Sequence, residues 1–336
     1  MNRRMLLNHF GIESQGTYSD DLTRLWTRSL AEDVSDNELI ALSGAWGNGK
    51  TTLFGQVQGQ LLEKHGDDIV FVEVASLDVP RVRIGHIMTA ILMDDRIRSS
   101  SEPIRRDLEA RSLQVIRLLG EAVFKHKKHV CIFIEDAHEL HERTILSIKN
   151  MREKRYNGRT KFFSVVLIGQ PGLAAKVNAF GEVRCRTRKY DLHESEGWMT
   201  FERRIDFMRQ SFGHMLDQQA RKRVAAVRQT MLGIEDMIYT AAAKAWKAGI
   251  KTLNADHFEA SLLERFEMLK ASENISLSDI SKAAGGLSKG TVHSVLHGSN
   301  RKKDAIESVR RALDAIEDGR GEKTVRVGKM AAAGEG

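Results

Sequence analysis

The chain has little of what would tie it to an oxidising compartment, a metal or a membrane. Only two cysteines, Cys131 and Cys185, occur among its 336 residues. Neither has a partner at metal-ligand spacing, so the sequence suggests neither a disulfide framework nor a zinc site. No apolar run approaches the ~20 residues that cross a bilayer, and the first residues lack the apolar stretch of a secretory signal. We therefore expect a cytoplasmic protein without a membrane segment.

Proline is also scarce, with three residues in the whole chain. Together with long stretches of helical periodicity, this favours a helix-rich protein with few extended loops. The length allows about two or three domains. The 52 basic residues exceed the 45 acidic ones and give a net charge of +7, which favours a polyanionic partner, although the excess is small.

The most informative pattern lies at residues 44–51, which read GAWGNGKT and complete the phosphate-loop pattern G-x-x-x-x-G-K-T. The apolar residues 39–42 before it predict a strand, and the residues after it predict a helix. Glycines let backbone N–H groups curl around a triphosphate, and the helix start offers further donors. Lys50 is expected to neutralise phosphates and Thr51 to ligate Mg²⁺. The predicted ATP-binding residues are Gly44, Ala45, Trp46, Gly47, Asn48, Gly49, Lys50, Thr51 and Thr52.

Three further apolar runs, at residues 69–74, 130–134 and 163–168, predict strands that alternate with helices. Such alternation indicates a parallel α/β sheet covered on both faces, with ligands bound at the carboxyl ends of the strands. Glu135 and Asp136 follow the third strand at that edge. One carboxylate can hold Mg²⁺ while the other polarises the attacking water. The alternative is an acidic strand end that only caps the next helix.

Gln170 follows the fourth predicted strand, so its amide lies at the same edge of the sheet. An amide there is placed to orient water against the γ-phosphate, the role called sensor 1. A glutamine in a turn is more often structural, so this role depends on the other motifs.

The phosphate loop, IEDAHEL at 134–140 and LIGQPGL at 167–173 resemble, in this order, a family of AAA+ ATPases. That family includes secretion proteins of the ExeA type and transposition helpers such as TniB and the phage Mu B protein. The resemblance covers roughly residues 20 to 265 and implies an AAA+ P-loop NTPase with a helical lid. The family usually has Asp-Glu at the strand end, so Glu135 takes the metal position and Asp136 the water-polarising one. Because Asp136 is about one methylene shorter, we expect slow hydrolysis.

Residues 183–190 resemble the family's arginine-containing segment before the last core strand. The resemblance implies that Arg184 or Arg188 reaches the nucleotide of the next subunit and stabilises transition-state charge. The active form is then a homo-oligomer, ring or filament, with ATP. The alternative is a basic stretch on the surface or facing DNA. Many relatives also carry an arginine, sensor 2, where this chain has Glu235 and Asp236, so lid closure on ATP is expected to be weak or differently arranged.

A separate pattern at residues 277–298 predicts two short helices joined by a glycine turn, with helix-turn-helix spacing. Part of it, residues 287–292, resembles the small DNA-binding domain of the phage Mu B protein, which precedes the ATPase there. The alternative is a helical hairpin for protein contact. The residues predicted to meet DNA are Ser288, Lys289, Thr291, His293 and Ser294.

Two basic runs, at residues 125–128 and 149–159, remain open to two interpretations. They are solvated faces, or they line DNA in an ATPase filament, which would make binding steeply salt-dependent. The predicted domains are a nucleotide-binding core at 1–193, a lid at 194–272 and a helix-turn-helix module at 273–318. The tail, 319–336, is predicted to be disordered.

From these patterns and the resemblance, we expect an ATPase that assembles on double-stranded target DNA with ATP and recruits or activates a transposase. Its hydrolysis is expected to be slow and stimulated by DNA. A secretion ATPase of the ExeA type is one alternative, against which the missing membrane segment and the helix-turn-helix pattern count. A nucleotide-sensing DNA-binding regulator with little hydrolysis is another, which the swapped carboxylates and the missing sensor 2 arginine favour.

Overall fold

A computed structural model describes residues 3–12, 18–75, 78–98, 102–227 and 230–258 of the first part of the chain. Beyond these it describes 262, 265–266, 269–270, 275–297, 300 and 302–316. The chain divides into two compact units, Met1–His257 and Phe258–Gly336. The tail predicted at 319–336 lies outside the described residues, and the division into core, lid and DNA-binding module stays a prediction.

The first unit contains a sheet of five parallel strands, β1 Leu39–Gly44, β2 Ile69–Glu73, β3 His129–Ile134, β4 Ser164–Gly169 and β5 Thr187–Leu192. Their order in the sheet is β2-β3-β4-β1-β5. The predicted parallel α/β sheet is thereby confirmed. Strands β1 and β4 are fully buried because helices cover both faces, whereas β5 at the edge is half exposed.

Eleven helices of the described residues in this unit connect and cover the strands. Several begin at a side chain that accepts a hydrogen bond from the first turn, as Asp20 does from the Thr23 N–H at 2.8 Å and Thr230 from the Gly233 N–H at 3.1 Å. Such caps satisfy N–H groups that have no partner within the helix. The helices are α1 Arg3–His9, α2 Asp21–Ser35, α3 Lys50–His65, α4 Ile84–Met93, α5 Leu108–Phe124, α6 Glu142–Arg152, α7 Gly172–Asn178, α8 Gly181–Arg184, α9 Phe201–Phe212, α10 Gln218–Val227 and α11 Met231–Lys247.

The core lies on both faces of this sheet because strand side chains alternate in direction. On one face, alternate residues such as Val72, Ile132 and Leu167 pack in one cluster with apolar residues of α4 to α7. On the other, the ring of Phe54 in α3 lies 5.3 Å from the ring of Phe133. Each fully buried aliphatic side chain contributes about 1.5–3 kcal/mol to the free energy of folding. This packing keeps the ends of the strands, and the loops that follow them, in place.

The second unit contains the two helices expected from the helix-turn-helix pattern, Leu277–Ala283 and Lys289–Leu296, followed by helical residues 303–316. The turn uses Gly285 and Gly286, with φ of +75° and +82°, a backbone conformation that disfavours other residues. The buried residues shared by these helices include Ile280, Ala284, Val292, Val295, Leu296, Val309 and Leu313. Across the described ranges, no helix is long and apolar enough to cross a membrane.

Candidate nucleotide-binding site

The loop between β1 and α3 has the backbone that phosphate binding requires. Gly47 and Gly49 have φ of +80° and +81°, where a Cβ would be strained. Gly49 precedes α3 and has no side chain, so it offers no side-chain acceptor to the first N–H groups of α3. Such donors, together with the positive end of a helix dipole, are an arrangement that favours an anion.

Lys50 lies folded over this loop. Its Nζ donates to the carbonyl oxygens of Gly44 at 2.9 Å and Ala45 at 3.0 Å. Burial lowers the pKa of Lys50, while the carboxylates of Asp136 and Glu135 act in the opposite direction. An anion in the loop would take the place of the two carbonyls as the partner of this ammonium group, because a charge-assisted hydrogen bond is stronger than one to a neutral carbonyl.

A cavity of about 530 Å³ opens beside the loop. Of the nine residues predicted to bind ATP, six line it, and Gly44 and Ala45 contact Lys50 instead. Asn48 turns away: it is buried, and its Nδ2 donates to the Leu192 carbonyl at 2.8 Å. The lining residues from the loop and α3 are Trp46, Gly47, Gly49, Lys50, Thr51, Thr52, Leu53 and Gln56.

Glu135 leaves β3 beside Thr51, and both Glu135 carboxylate oxygens lie 3.4 Å from the Thr51 hydroxyl. Burial raises the pKa of Glu135, and the nearby carboxylates of Asp136 and Glu73 add to that effect. A cation bound here would relieve the repulsion between Glu135 and these two carboxylates. A hydroxyl and a carboxylate are oxygen donors of the kind Mg²⁺ takes alongside phosphate and water oxygens, so Thr51 and Glu135 fit a magnesium ion.

Asp136 also lines the cavity, with its side chain 69% exposed. Its φ of +48° is unusual for a residue with a side chain and turns the chain sharply after β3. It makes no capping bond to the 3₁₀ turn Ala137–Glu139, and α6 is capped by His141, which accepts from the Arg143 N–H at 3.1 Å. The two carboxylates therefore do not serve as helix caps, which counts against that alternative.

Gln170 follows β4, where Ile168 and Gly169 line the cavity. Gln170 itself is exposed, and its carbonyl accepts from the Leu173 N–H at 2.9 Å at the start of α7. The structure thus places it at the expected edge of the sheet but outside the cavity wall. A role of its amide at the γ-phosphate stays a prediction.

Arg184 and Arg188 both lie outside the cavity of their own chain. Arg184 is the exposed last residue of α8. Arg188 lies within β5 rather than before it, and its Nε is 3.7 Å from a carboxylate oxygen of Asp33 in α2. A role at the nucleotide of the next subunit requires such an outward position, and that role stays a prediction.

One wall of the cavity was not predicted from the sequence. Tyr18, Trp198 and Phe207, which we call the aromatic wall, line the cavity and are buried. The rings of Tyr18 and Phe207 meet edge to face at 5.5 Å. The Trp198 indole N–H donates to the Asn48 carbonyl at 3.0 Å, which ties this wall to the phosphate loop.

An ion pair holds the aromatic wall together. Arg203 of α9 donates from Nε and Nη2 to the two Asp20 carboxylate oxygens at 2.6 and 2.8 Å. Its guanidinium also lies 4.5 Å from the centre of the Trp198 ring. Burial alone would raise the pKa of Asp20, but hydrogen bonds from Arg203 and Thr23 outweigh it and hold that pKa well below its usual range. No local pattern could have revealed this pair, since only the capping role of Asp20 is visible in sequence.

The start of α11 closes the cavity from another side. The Leu232 N–H donates to the Gly47 carbonyl at 3.2 Å, and a Cβ on Gly47 would lie 2.7 Å from the Leu232 Cβ. One turn later, Glu235 lines the cavity, and Arg3 of α1 lies 3.7 Å from its carboxylate. A carboxylate therefore stands at the position where the resemblance would place the sensor 2 arginine.

The sheet, the phosphate loop and the carboxylates after β3 define an α/β P-loop NTPase of the AAA+ fold. Residues 32–177 match the family model described as AAA domain, which agrees with this ATPase fold. No curated protein matches the chain.

Solved structures share the fold. Cdc6p from Pyrobaculum aerophilum is 15% identical, with a TM-score of 0.53 over 92% of this chain and 84% of that one. Drosophila ORC bound to DNA is 12% identical, with a TM-score of 0.53 over 98% and 83%. The Aeropyrum pernix ORC2 protein, solved as ADPNP-ADP complexes, is 12% identical, with a TM-score of 0.50 over 94% and 83%. At these identities the similarity shows the fold.

Proposed function

We propose that the protein is an ATP-dependent DNA-binding protein of the transposition type. With ATP it assembles on double-stranded target DNA and recruits or activates a transposase, and it leaves the DNA upon hydrolysis. One observation carries the ATP-dependent part: Lys50, the Thr51 and Glu135 pair, and the Leu232 contact to Gly47 all meet at one cavity. Phosphate binding and the position of α11 are therefore coupled through direct contact.

Within this cavity each residue has a distinct part. The loop N–H groups and Lys50 bind the phosphates, and Thr51 and Glu135 hold Mg²⁺, which supplies charge neutralisation when bound. Asp136 positions water from the neighbouring place on the strand end. Gln170 and an arginine of the next subunit complete the set on the basis of the motif resemblance.

DNA binding is supported by the second unit and by the fold. Lys289 and His293 are exposed on the helix Lys289–Leu296. The hydroxyls of Ser288, Thr291 and Ser294 make local hydrogen bonds that shape the start of this helix and its outer face. One structure of the same fold is of a protein bound to DNA. The transposase partner rests on the resemblance of the motifs at 134–140 and 167–173.

A nucleotide-sensing DNA-binding regulator that hydrolyses little is a second candidate. Two observations favour it: Asp136, whose short carboxylate takes the water-polarising position in the motif resemblance, lines the cavity, and Glu235 rather than an arginine lines it from α11. Both features would reduce turnover without preventing nucleotide binding.

The deciding experiment measures ATP turnover and sedimentation of the full chain with ATP, with and without duplex DNA of mixed sequence. Lys50→Ala is the test variant, and Lys64→Ala, which removes an exposed lysine of the same helix, is the matched control. The proposal expects DNA-stimulated turnover and ATP-dependent assembly, both lost in Lys50→Ala and kept in Lys64→Ala. Tight ATP binding without turnover or assembly would favour the regulator instead.

Asp136→Glu sharpens the distinction because it restores the longer carboxylate. If hydrolysis is slow because Asp136 is one methylene short, turnover should rise several-fold, by the sensitivity of rate to small displacements. An unchanged or lower rate would show that the length of this side chain does not limit hydrolysis.

A further inference from the structure

The structure brings together the basic run after α5 and the basic run 149–159, which begins in the last turn of α6. Phe124, the last residue of α5, stacks on Tyr156 with ring centres 5.9 Å apart and an angle of 1° between the planes. The Arg159 guanidinium lies 4.9 Å from the centre of the Phe124 ring. Both runs precede strands of the sheet, so they lie at its amino edge, opposite the nucleotide-binding cavity.

The end of the second run, after α6, forms a tight hairpin. Tyr156 and Arg159 exchange two backbone hydrogen bonds, at 2.9 and 3.0 Å, across the turn residues Asn157 and Gly158. Both turn residues have positive φ, +47° and +79°, as the two-residue turns favoured in hairpins require. A further bond, from the Lys161 N–H to the Arg152 carbonyl at 3.0 Å, closes the base. The hairpin therefore holds its charged side chains on a defined backbone.

A glycine in the middle of α5 provides the place for this hairpin. A Cβ on Gly120 would lie 2.3 Å from Cγ of Tyr156, a distance that no real contact tolerates. Glycine within a helix costs up to about 1 kcal/mol relative to alanine. Its position under the Tyr156 ring explains how the hairpin packs against α5.

Five cations on this surface are exposed, and no ion pair links any of them to another described residue. Glu153, the acidic residue next to Lys154, is already paired with Lys149 at 2.7 Å and with Arg186 at 2.9 Å. Lys149 and Arg152, although part of the same basic run, are buried and structural. The five cations, which we call the hairpin patch, are Lys127, Lys154, Arg155, Arg159 and Lys161.

We propose that the hairpin patch binds the phosphate backbone of duplex DNA, as a contact surface on the AAA domain separate from the C-terminal helices. This inference rests on the proposed DNA binding. Cations without carboxylate partners release counterions when they meet phosphates, which drives binding that is independent of sequence.

The surroundings favour duplex DNA over single strands and over protein. Phe124 and Tyr156 are half-buried and stack on each other, so they do not offer free faces to unpaired bases. The exposed residues of the hairpin, 154–155 and 157–161, are all polar, charged or glycine. A protein interface of this size would be expected to include an apolar centre.

The test compares two full-length variants that each lose five positive charges. One replaces the five residues of the hairpin patch with alanine. The other replaces five exposed basic residues elsewhere in the first unit with alanine, namely Arg28, Lys222, Arg223, Lys244 and Lys247. Binding of a labelled duplex of mixed sequence is followed by fluorescence anisotropy over a salt series, and nucleotide binding is measured in parallel.

The patch variant is expected to bind duplex at least about 10-fold more weakly. The slope of log K against log salt concentration should become less negative by about 0.9 for each phosphate contact removed. ATP binding should stay unchanged, because the patch lies opposite the cavity. The control variant should retain most of the affinity. Equal loss in both variants would show a general charge effect and overturn the inference.

Gly120→Ala displaces the Tyr156 ring while keeping all five charges, and it should weaken duplex binding less than the patch variant does. Gly59→Ala, in α3 with open space around it, is its control and should leave duplex binding unchanged. Normal duplex binding by the patch variant, with binding lost in Lys289→Ala and His293→Ala, would overturn the inference and leave the proposed function intact. No duplex binding by the wild type, with or without ATP, would instead overturn the proposed function.

Discussion

The phosphate loop and the aromatic wall belong to one cavity but are built in opposite ways. The loop is a single stretch in which each residue acts beside its neighbour in sequence, and its shape follows from two positive φ angles. The wall joins Tyr18 to Trp198 and Phe207 and depends on an ion pair between residues 183 apart in sequence, Asp20 and Arg203. The comparison shows that the shape of the loop is a local property, whereas closure of the cavity is a tertiary one.

Breaking the ion pair tests the wall most strongly. Arg203→Met leaves the mostly buried Asp20 carboxylate without its cation, and removing one partner of a buried pair costs about 3 kcal/mol. Urea unfolding of the variant should show this loss. Arg209→Met, on the same helix, breaks only an exposed pair with Asp206 and should cost less than about 1 kcal/mol. If both variants lost the same free energy of unfolding, the Asp20–Arg203 pair would be no more important than an exposed ion pair.

At the phosphate end, Glu135→Gln should lower Mg²⁺-dependent ATP turnover about 100-fold, by the usual effect of removing one electrostatic contact to a reacting group. Because burial raises the pKa of Glu135, its charged form disfavours the folded state at neutral pH. The variant should therefore unfold at the same or a higher urea concentration. Glu142→Gln, an exposed carboxylate of α6, is the control and should change neither property.

Gly47→Ala tests the contact between loop and α11. The alanine would have to keep a φ of +80°, and its Cβ would lie 2.7 Å from the Leu232 Cβ. We therefore expect the free energy of unfolding to fall by about 2 kcal/mol, from backbone strain and steric overlap. Gly49→Ala has the same strain but only a 3.4 Å contact to the Met231 sulfur, and should cost less. Adding Leu232→Gly, which removes the Cβ that the new methyl group meets, should recover part of the Gly47→Ala loss. Purely additive effects would show that the two residues do not interact.

The smallest effect concerns pH. The pKa of Asp20 is lowered in the folded state, so its stabilisation is complete above the unfolded pKa, ~3.9, and is lost as pH falls toward the folded value. The stability difference between wild type and Asp20→Asn should therefore shrink by about 1 kcal/mol between about pH 5 and pH 3. Unfolding curves at a series of pH values measure this difference. A constant difference would mean that Asp20 keeps an ordinary pKa.

Much of the fold could be predicted from apolar runs because the central strands are buried on both faces. The edge strand β5 was less visible: its residues Thr187–Leu192 are largely polar and half exposed, so they lack the continuous apolar run of the others. Arg188 consequently turned out to lie within the strand. The basic run at 149–159 likewise appeared uniform in sequence, although Lys149 and Arg152 are buried and the hairpin cations are exposed.

The sequence by itself determined the phosphate loop, the adjacent carboxylates Glu135 and Asp136, and the parallel sheet that places them. These features depend on consecutive residues or on short periodicities, and both are visible in the sequence. Only the tertiary structure decided what closes the cavity and what gathers the hairpin patch. The contacts responsible, between Asp20 and Arg203 and between Phe124 and Tyr156, join residues far apart in sequence, and their geometry depends on how whole helices pack.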